Sequence, residues 1–485
     1  MNAKAPIFFC AVGGSGMLPL AMIMKARGFD VRGSDRSRDQ GRTPERFAFI
    51  ERQGITLYPQ DGSGVTHDIG KLIVSAAVEE TVTDYQAAVR HNIPIMSRAA
   101  LLAELFNDAK TGLAVAGTSG KSTTTGMIGW ILHQVGLNPT IMNGAVMKNF
   151  ITADNPFASA VIGNPDLFVS EVDESDGSIA FFTPKIAVLN NIAFDHKTMD
   201  ELRPLFSAFI AKAEKVVLNL DNMETAALAV VAPQDTIITY SLTEGSATLR
   251  ASNLEFHAGG ARFDVIRRGD AKAVSVKLSM PGHHNVANGL AALGAALAVG
   301  VDLAEAARAL GGFSGIGRRL EVVGATADGI TVIDDFAHNP DKIAASLRTL
   351  HQTPGRLLVF FQPHGFGPLR LMRRELTAGF AAGLNKDDRL YLPDPLYLGG
   401  TTDRSVTSAD LAQNIAAQGR QALYIPKRED CAAAILKEAQ PGDKVIIMGA
   451  RDDTLSLFAY DLLLRLNEKV LYRNGGEISW AQQET

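Results

Sequence analysis

"LAVAGTSGKSTTTGMIGW", residues 113–130, joins two apolar runs through a turn that carries a lysine and a row of hydroxyls. A helix start needs one side-chain cap. This one offers Ser119, Lys121, Ser122, Thr123, Thr124 and Thr125 together. Leu113 to Ala116 read as a buried strand. Met127, Ile128, Ile131, Leu132 and Val135 then recur at helical spacing, and Gly136 closes the run as a C-cap. Strand, glycine turn, lysine, hydroxyl, helix is the order of a phosphate-binding loop. Amides at the helix start cradle phosphates, Lys121 reaches the β/γ oxygens, and the Ser122 hydroxyl ligates Mg²⁺. One position departs from the usual pattern, which has a glycine where this chain has Val115. The plain alternative is a strand-to-helix turn rich in Ser and Thr. Gly120-Lys121-Ser122 in this setting points instead to a nucleoside triphosphate and its metal.

Around this loop the chain reads as a large α/β protein. At 485 residues it exceeds one compact core, and about 150 residues per domain suggests three. An apolar content of 46% with 20% charged residues describes a globular chain rather than a disordered one. A net charge of −5 argues against a nucleic-acid binder, which would carry a basic stripe. Cys10 and Cys431 stand far apart, so a disulfide framework is not expected and a reducing cytoplasm is. The N-terminal run "IFFCAVGGSG" is too short and glycine-rich for a secretory signal. Ala287 to Val301, interrupted by Asn288, falls short of the ~20 residues of a membrane span and reads as a buried helix. No membrane partner is expected.

Three segments follow from the alternation of runs. Residues 1–108 pass from "IFFC" through a glycine turn and helix to the strands "DVRGSD", "KLIVSAA" (the third) and "IPIMS", which predicts a Rossmann-like parallel sheet. Residues 109–312 hold the phosphate loop and the buried strands "DLFVSEVD", "KIAVLNNI" and "KVVLNLDN". Residues 249–280 alternate around turns and predict a small antiparallel sheet, before a helix from Asn285 to about Gly300. Residues 313–485 contain "ITVIDDFA", "RLLVFFQ", "RLYLPD" and "KVIIMGA" with helices between, a second Rossmann-like pattern.

Two further stretches carry chemistry. "SEVDESD" places Glu171, Asp173, Glu174 and Asp176 at a strand end, where four carboxylates repel unless solvated or shared with a cation such as Mg²⁺. "NNIAFDH" ends another strand with Asn191 and His196. Together with "AVGGSGM" (11–17), "GSD" (33–35), "GTSGKSTTT", "PGHHNVANGLAA" (281–292), "GIGRRLE" (315–321), "DDFAHNP" (334–340) and "FFQPH" (360–364), these resemble, in order and over nearly the whole chain, the Mur ligases. Those are the ATP-dependent amide-forming enzymes of peptidoglycan synthesis. The start is similar to the alanine-adding branch, although Ser119 and Ser122 stand where that branch usually has His and Thr. "NNIAFDH" and "DDFAH" also look like the sister branch, which recycles peptidoglycan by joining UDP-N-acetylmuramate to a ready-made tripeptide.

The resemblance implies roles for residues of this chain. Gly117, Thr118, Ser119, Gly120, Lys121, Ser122 and Thr123 would hold ATP, with His284, Asn285 and Asn288 near the adenine and phosphates. Ser122, Glu171 and His196 would ligate Mg²⁺. Arg319 would reach ATP from the third domain, and Asp335 would sit near the ribose. Gly13, Gly14, Ser15, Gly16, Met17, Ser34, Asp35 and Ser75 would hold the UDP-sugar, UDP-N-acetylmuramate or a related one. His338, His364 and Arg370 would face the incoming amine, an amino acid or short peptide. Lys121, Glu171, His196, Arg319 and Asp335 would form the catalytic set, acting through an acyl phosphate. The chain departs from the alanine-adding branch after "FFQPH". Closely spaced arginines usually follow there, whereas "GFGPLR" leaves only Arg370, so a different amine or a differently built pocket is implied. Two other readings remain: a ligase fold that has lost catalysis and serves as a binding partner, and a dinucleotide-dependent oxidoreductase. The second leaves Lys121, Glu171 and Arg319 unexplained.

Overall fold

The computed structural model describes residues 5–76, 78–193, 197–232, 234–257, 260–396, 403–450, 452 and 454–473. The chain divides into two compact units, Met1–Ile316 and Gly317–Thr485. Residues 313–316 are tied to the first unit. The Ser314 amide donates to Asn149 Oδ1 at 2.7 Å, the Lys148 amide donates to the Gly315 carbonyl at 3.1 Å, and Ile316 bridges to Met147.

The first unit holds two sheets. The smaller is wholly parallel, with β1 (Ile7–Cys10), β2 (Val31–Ser34), β3 (Thr56–Tyr58), β4 (Lys71–Val74) and β5 (Ile95–Ser97) in the order β3-β2-β1-β4-β5. The chain leaves β1 toward one side and returns on the other, so a crevice opens past the carboxyl ends of β1 and β4. "KLIVSAA" is therefore the fourth strand rather than the third. β3 escapes the sequence reading because it has three residues, lies at the sheet edge and buries none of them fully.

The larger sheet has ten strands: β6 (Thr111–Ala116), β7 (Pro139–Met142), β8 (Ala160–Val161), β9 (Asn164–Glu171), β10 (Ile186–Leu189), β11 (Lys215–Asn219), β12 (Ile237–Ser241), β13 (Leu249–His257), β14 (Gly260–Arg267) and β15 (Val274–Leu278). Their order is β15-β14-β13-β12-β11-β10-β6-β9-β7-β8. From β12 to β7 the pairing is parallel, and β13 to β15 form the expected antiparallel hairpins. β6 lies between β9 and β10; β6 and β10 are almost wholly buried, and β9 is buried over Leu167–Ser170. The turn after β6 thus emerges between the ends of its two neighbours. Lys121–Gln134 and His283–Val299 are the helices that cover this sheet beside the turn. Small residues allow that approach: a Cβ on Gly129 would stand 2.5 Å from Ile141, and one on Gly126 2.6 Å from Ile316.

The second unit carries β16 (Glu321–Ala325), β17 (Thr331–Asp335), β18 (Leu357–Gln362), β19 (Arg389–Leu392), β20 (Ala422–Tyr424) and β21 (Lys444–Gly449), ordered β16-β17-β21-β18-β19-β20. Only β16 runs antiparallel. Two apolar cores, one on each face, contain Val359, Phe361 and Ile446 on one side and Leu358, Phe360 and Ile447 on the other. Alternate residues of one strand fill both layers, which is why these strands read as unbroken apolar runs. Cys10 and Cys431 are free and buried.

Candidate active site

The loop between β6 and the helix Lys121–Gln134 is shaped by two glycines with left-handed backbone, Gly117 at φ +133° and Gly120 at φ +80°. Side chains would also collide there: a Cβ on Gly120 would lie 2.5 Å from Asn288 Oδ1. Lys121 Nζ donates to the Gly117 carbonyl at 2.8 Å and to Glu174 Oε2 at 2.7 Å. Burial works against its charge, but Glu174, Asp173 and Glu171 outweigh it and hold its pKa above the ordinary lysine value. Lys121 is therefore a fixed cation. Ser122 Oγ donates to Glu171 Oε2 at 2.7 Å, and Asn143 Nδ2 donates to the Ser122 carbonyl at 2.9 Å.

Backbone amides complete the loop. Those of Thr118 and Ser119 donate to the Asn191 carbonyl at 3.1 Å and to Asn191 Oδ1 at 2.9 Å. Those of Gly120, Lys121, Ser122 and Thr123 meet no acceptor among the described residues. Asn190 Oδ1, buried behind the loop, also has no partner among the described residues. Four converging amides, a buried cation and the positive end of a helix make a seat for a polyanion. The Ser122 hydroxyl beside Glu171 matches how Mg²⁺ is held, by one or two protein oxygens with phosphates and water supplying the rest. Among the described residues no three His, Cys, Asp or Glu side chains gather into a ready metal cage, so a triphosphate would complete the coordination.

A cleft runs from this seat to the first sheet. Gly16, Arg98 and Leu102 line one end, and Lys121, Asn143, Gly144, Glu171 and Asp173 the other. Gly13 to Gly16 form the turn past β1. The Gly13 amide donates to Asp35 Oδ2 at 2.9 Å, while Asp35 Oδ1 caps the Ser37 amide at 2.8 Å. Asp35 thus holds the turn in place. Ser34, fully buried, gives its hydroxyl to Asp84, and Met17 packs into the core. Ser15 is exposed, and half-buried Ser75 stands past the end of β4.

The second unit has its own polar cluster. Arg318 and Leu320 both have left-handed backbone, at φ +57° and +48°, a strain that non-glycine residues hold only where surroundings over-determine it. Arg318 is the anchor. Its Nε contacts Asp334 Oδ1 at 3.2 Å, and its remaining nitrogens donate to the carbonyls of Gly449 and Asp452. Arg319, between the strained pair, lies over the Phe336 ring at 5.1 Å. Burial pushes the Asp335 carboxyl up, although Ser346 and Arg319 counter it. His338 Nδ1 donates to the Phe336 carbonyl at 2.9 Å, and its ring meets that of His364 edge-on at 5.2 Å. Burial, aided by Lys342, brings the His338 pKa down to about 3.

Comparison with known proteins settles the family. Residues 6–110 match the model of the Mur ligase family catalytic domain, 115–296 the Mur ligase middle domain, and 318–451 the Mur ligase glutamate ligase domain. The UDP-N-acetylmuramate–L-alanine ligase of Dinoroseobacter shibae is 32% identical over 471 residues, 95% of this chain and 97% of the relative. The chain belongs to the Mur ligase family. Its fold is that of the UDP-N-acetylmuramate–alanine ligase of Thermotoga maritima, with TM-score 0.78, 24% identity and coverage of 96% and 100%. The murein peptide ligase of Psychrobacter arcticus is also similar, with TM-score 0.71, 25% identity and coverage of 96% and 99%.

Of the residues expected at the ATP site, only some lie side by side in the first unit of this Mur ligase. Lys121, Ser122 and Glu171 adjoin, and Asn288 abuts Gly120 while its Nδ2 reaches Asn285 Oδ1 at 3.4 Å. His284 lies exposed at the start of the helix His283–Val299. His196 lies outside the described residues. Arg319, Asp335, His338 and His364 cluster in the second unit, whereas Arg370 pairs at the surface with Asp403. Glu174 as the partner of Lys121, Asn143 under Ser122, Arg98 in the cleft and Arg318 as the anchor beside Arg319 escaped the sequence reading. Glu174 and Arg318 stand in stretches already singled out, but which group each would hold depends on partners distant in sequence; Asn143 and Arg98 look ordinary until those partners are known.

Proposed function

We propose that this Mur ligase joins the carboxyl group of UDP-N-acetylmuramate to the amine of an amino acid or short peptide in the cytoplasm, at the expense of ATP. The continuity of the cleft from the Gly13–Gly16 turn to Lys121 and Glu171 carries the reading. A nucleotide sugar seated on the turn points its acid toward the phosphate loop. The acid's oxygen attacks the γ-phosphorus and ADP leaves. The amine nitrogen then attacks the acyl carbon of the acyl phosphate, phosphate departs, and the amine's proton passes to solvent. The first step brings two anions together, so charge neutralisation dominates the barrier. Lys121 supplies one fixed positive charge, and the four open amides supply partial charges. Mg²⁺, held through Ser122 and Glu171 and, by the family resemblance, His196, would add the Lewis acidity that phosphoryl transfer uses. We assign the amine side to the second unit's cluster, where His338 stays neutral and Asp335 is buried beside Arg319.

L-Alanine is the amine named in the relatives at 32–34% identity. A peptide amine is the second reading. It is favoured by Gly365, Gly367 and Pro368 standing where arginines would grip a free amino acid's carboxylate. The test is direct: incubate the protein with ATP, Mg²⁺ and UDP-N-acetylmuramate, add single amino acids and small peptides in turn, and record phosphate release and product mass. Phosphate release that depends on both acid and amine, with a product heavier by the amine minus water, is expected. ATP stability with every amine would leave a binding protein. Consumption of NAD(P)H in a parallel cuvette would mark an oxidoreductase.

A further inference from the structure

We infer that Asn191 is a positioning residue for ATP, an amide clamp that fixes which loop amides are offered to the phosphates. The inference rests on the phosphate-loop reading above. β10 pairs with β6 in register, Leu189 opposite Ala116, so the residues just past β10 run alongside the loop. The Asn190 amide continues the ladder to the Ala116 carbonyl at 3.0 Å. Asn191 then closes on the loop with both ends of its side chain. Oδ1 accepts from Thr118 Oγ1 at 2.8 Å, the Ser119 amide at 2.9 Å and Ser119 Oγ at 3.2 Å, while Nδ2 donates to the Ser119 carbonyl at 3.1 Å. Its own carbonyl takes the Thr118 amide. A Cβ on Gly117 would sit 3.0 Å from that carbonyl, so the loop backbone lies directly on Asn191.

The consequence is a partition of the loop. The amides of residues 118 and 119 are consumed by Asn191, and the next four, 120 to 123, remain for a ligand. Asn190 supports the arrangement from beneath: its Nδ2 reaches Thr124 Oγ1 at 3.0 Å, and its carbonyl is held by Asn219 Nδ2 at 2.8 Å. At neutral pH a primary amide of this length presents both an acceptor for these donors and a donor for the Ser119 carbonyl. A carboxylate would keep the acceptor, lose the donor, and set a negative charge against the incoming phosphates.

The test is binding of a non-hydrolysable ATP analogue with Mg²⁺ to the full chain, followed by calorimetry, with UDP-N-acetylmuramate as the control ligand. Asn191→Ala is expected to weaken the analogue about tenfold, the equivalent of one lost net hydrogen bond. Sugar affinity stays, and KM for ATP rises more than kcat falls. Asn191→Asp is near-isosteric and guards against a folding artefact. It is expected to weaken the analogue further at pH 7.5 and to recover as pH falls and the carboxyl takes a proton, since the protonated acid again donates to Ser119. A merely structural asparagine would show no such recovery. Analogue affinity equal to the parent in both variants, or a pH-independent loss in Asn191→Asp, overturns the inference. Failure of the parent itself to bind the analogue would instead remove the phosphate-loop reading.

Discussion

At Lys121 the proposed function makes two demands: the side chain must stay charged, and it must stay where a phosphate would arrive. Glu174 and the Gly117 carbonyl satisfy both. Lys121→Ala removes the cation without disturbing the first sheet. We expect the rate of ATP turnover to fall by roughly 10²-fold or more while UDP-N-acetylmuramate still binds, as measured by phosphate release and calorimetry; equal turnover in variant and parent would refute the assignment. His338 gives a pH prediction. Its folded pKa of about 3 lies below the ordinary histidine value near 6.5, so the unfolded chain takes up a proton that the folded chain refuses. Its contribution to stability is therefore complete above pH 6.5 and is lost as pH falls toward 3. Replacing it in His338→Gln should flatten the decline in melting temperature across that window. An unchanged acid slope would show that another group dominates there.

At the scale of elements, the decisive unit is strand, glycine turn and helix. Its position depends on β9 and β10 flanking β6. β9 brings Glu171 to Ser122, and the two turns beyond β9 and β10 bring Glu174 and Asn191 to the loop. Gly120 is the hinge of this unit, with left-handed backbone and Asn288 against its α-carbon. Gly120→Ala should destabilise the protein by about 1–2 kcal/mol from backbone strain alone. A steric penalty at Asn288 and weaker ATP-analogue binding should accompany it, read by thermal melting and calorimetry. An alanine variant that melts and binds as the parent does would show that the loop tolerates a side chain there. The hydroxyl-rich helix start and the acidic stretch were legible because spacing and residue type together constrain them. The short edge strands β3, β16 and β20 were not, since three to five residues with little burial leave no periodic signature.

For the whole molecule, the first unit contains both sheets that border the cleft, and residues up to Ile316 are hydrogen-bonded into it. Residues 1–316 expressed alone should fold cooperatively and bind UDP-N-acetylmuramate and an ATP analogue, yet form no amide, since Arg319, Asp335 and His338 are absent. Circular dichroism melts, calorimetry and product mass check this. A fragment that aggregates, or one that still ligates, would contradict the division of labour. No helix among the described residues is long and apolar enough to cross a membrane.

Local order along the chain was enough to determine the three-part α/β character, the strand, glycine turn and helix around Lys121, and the family, because each rests on neighbours in sequence: apolar runs, glycine turns and motifs a few residues long. Which groups face one another was decided only by the tertiary fold. Lys121 and Glu174 stand 53 positions apart, Ser119 and Asn191 72, and parallel pairing alone brings them within hydrogen-bond reach. No local pattern encodes that register. It emerges from burying both faces of each sheet at once.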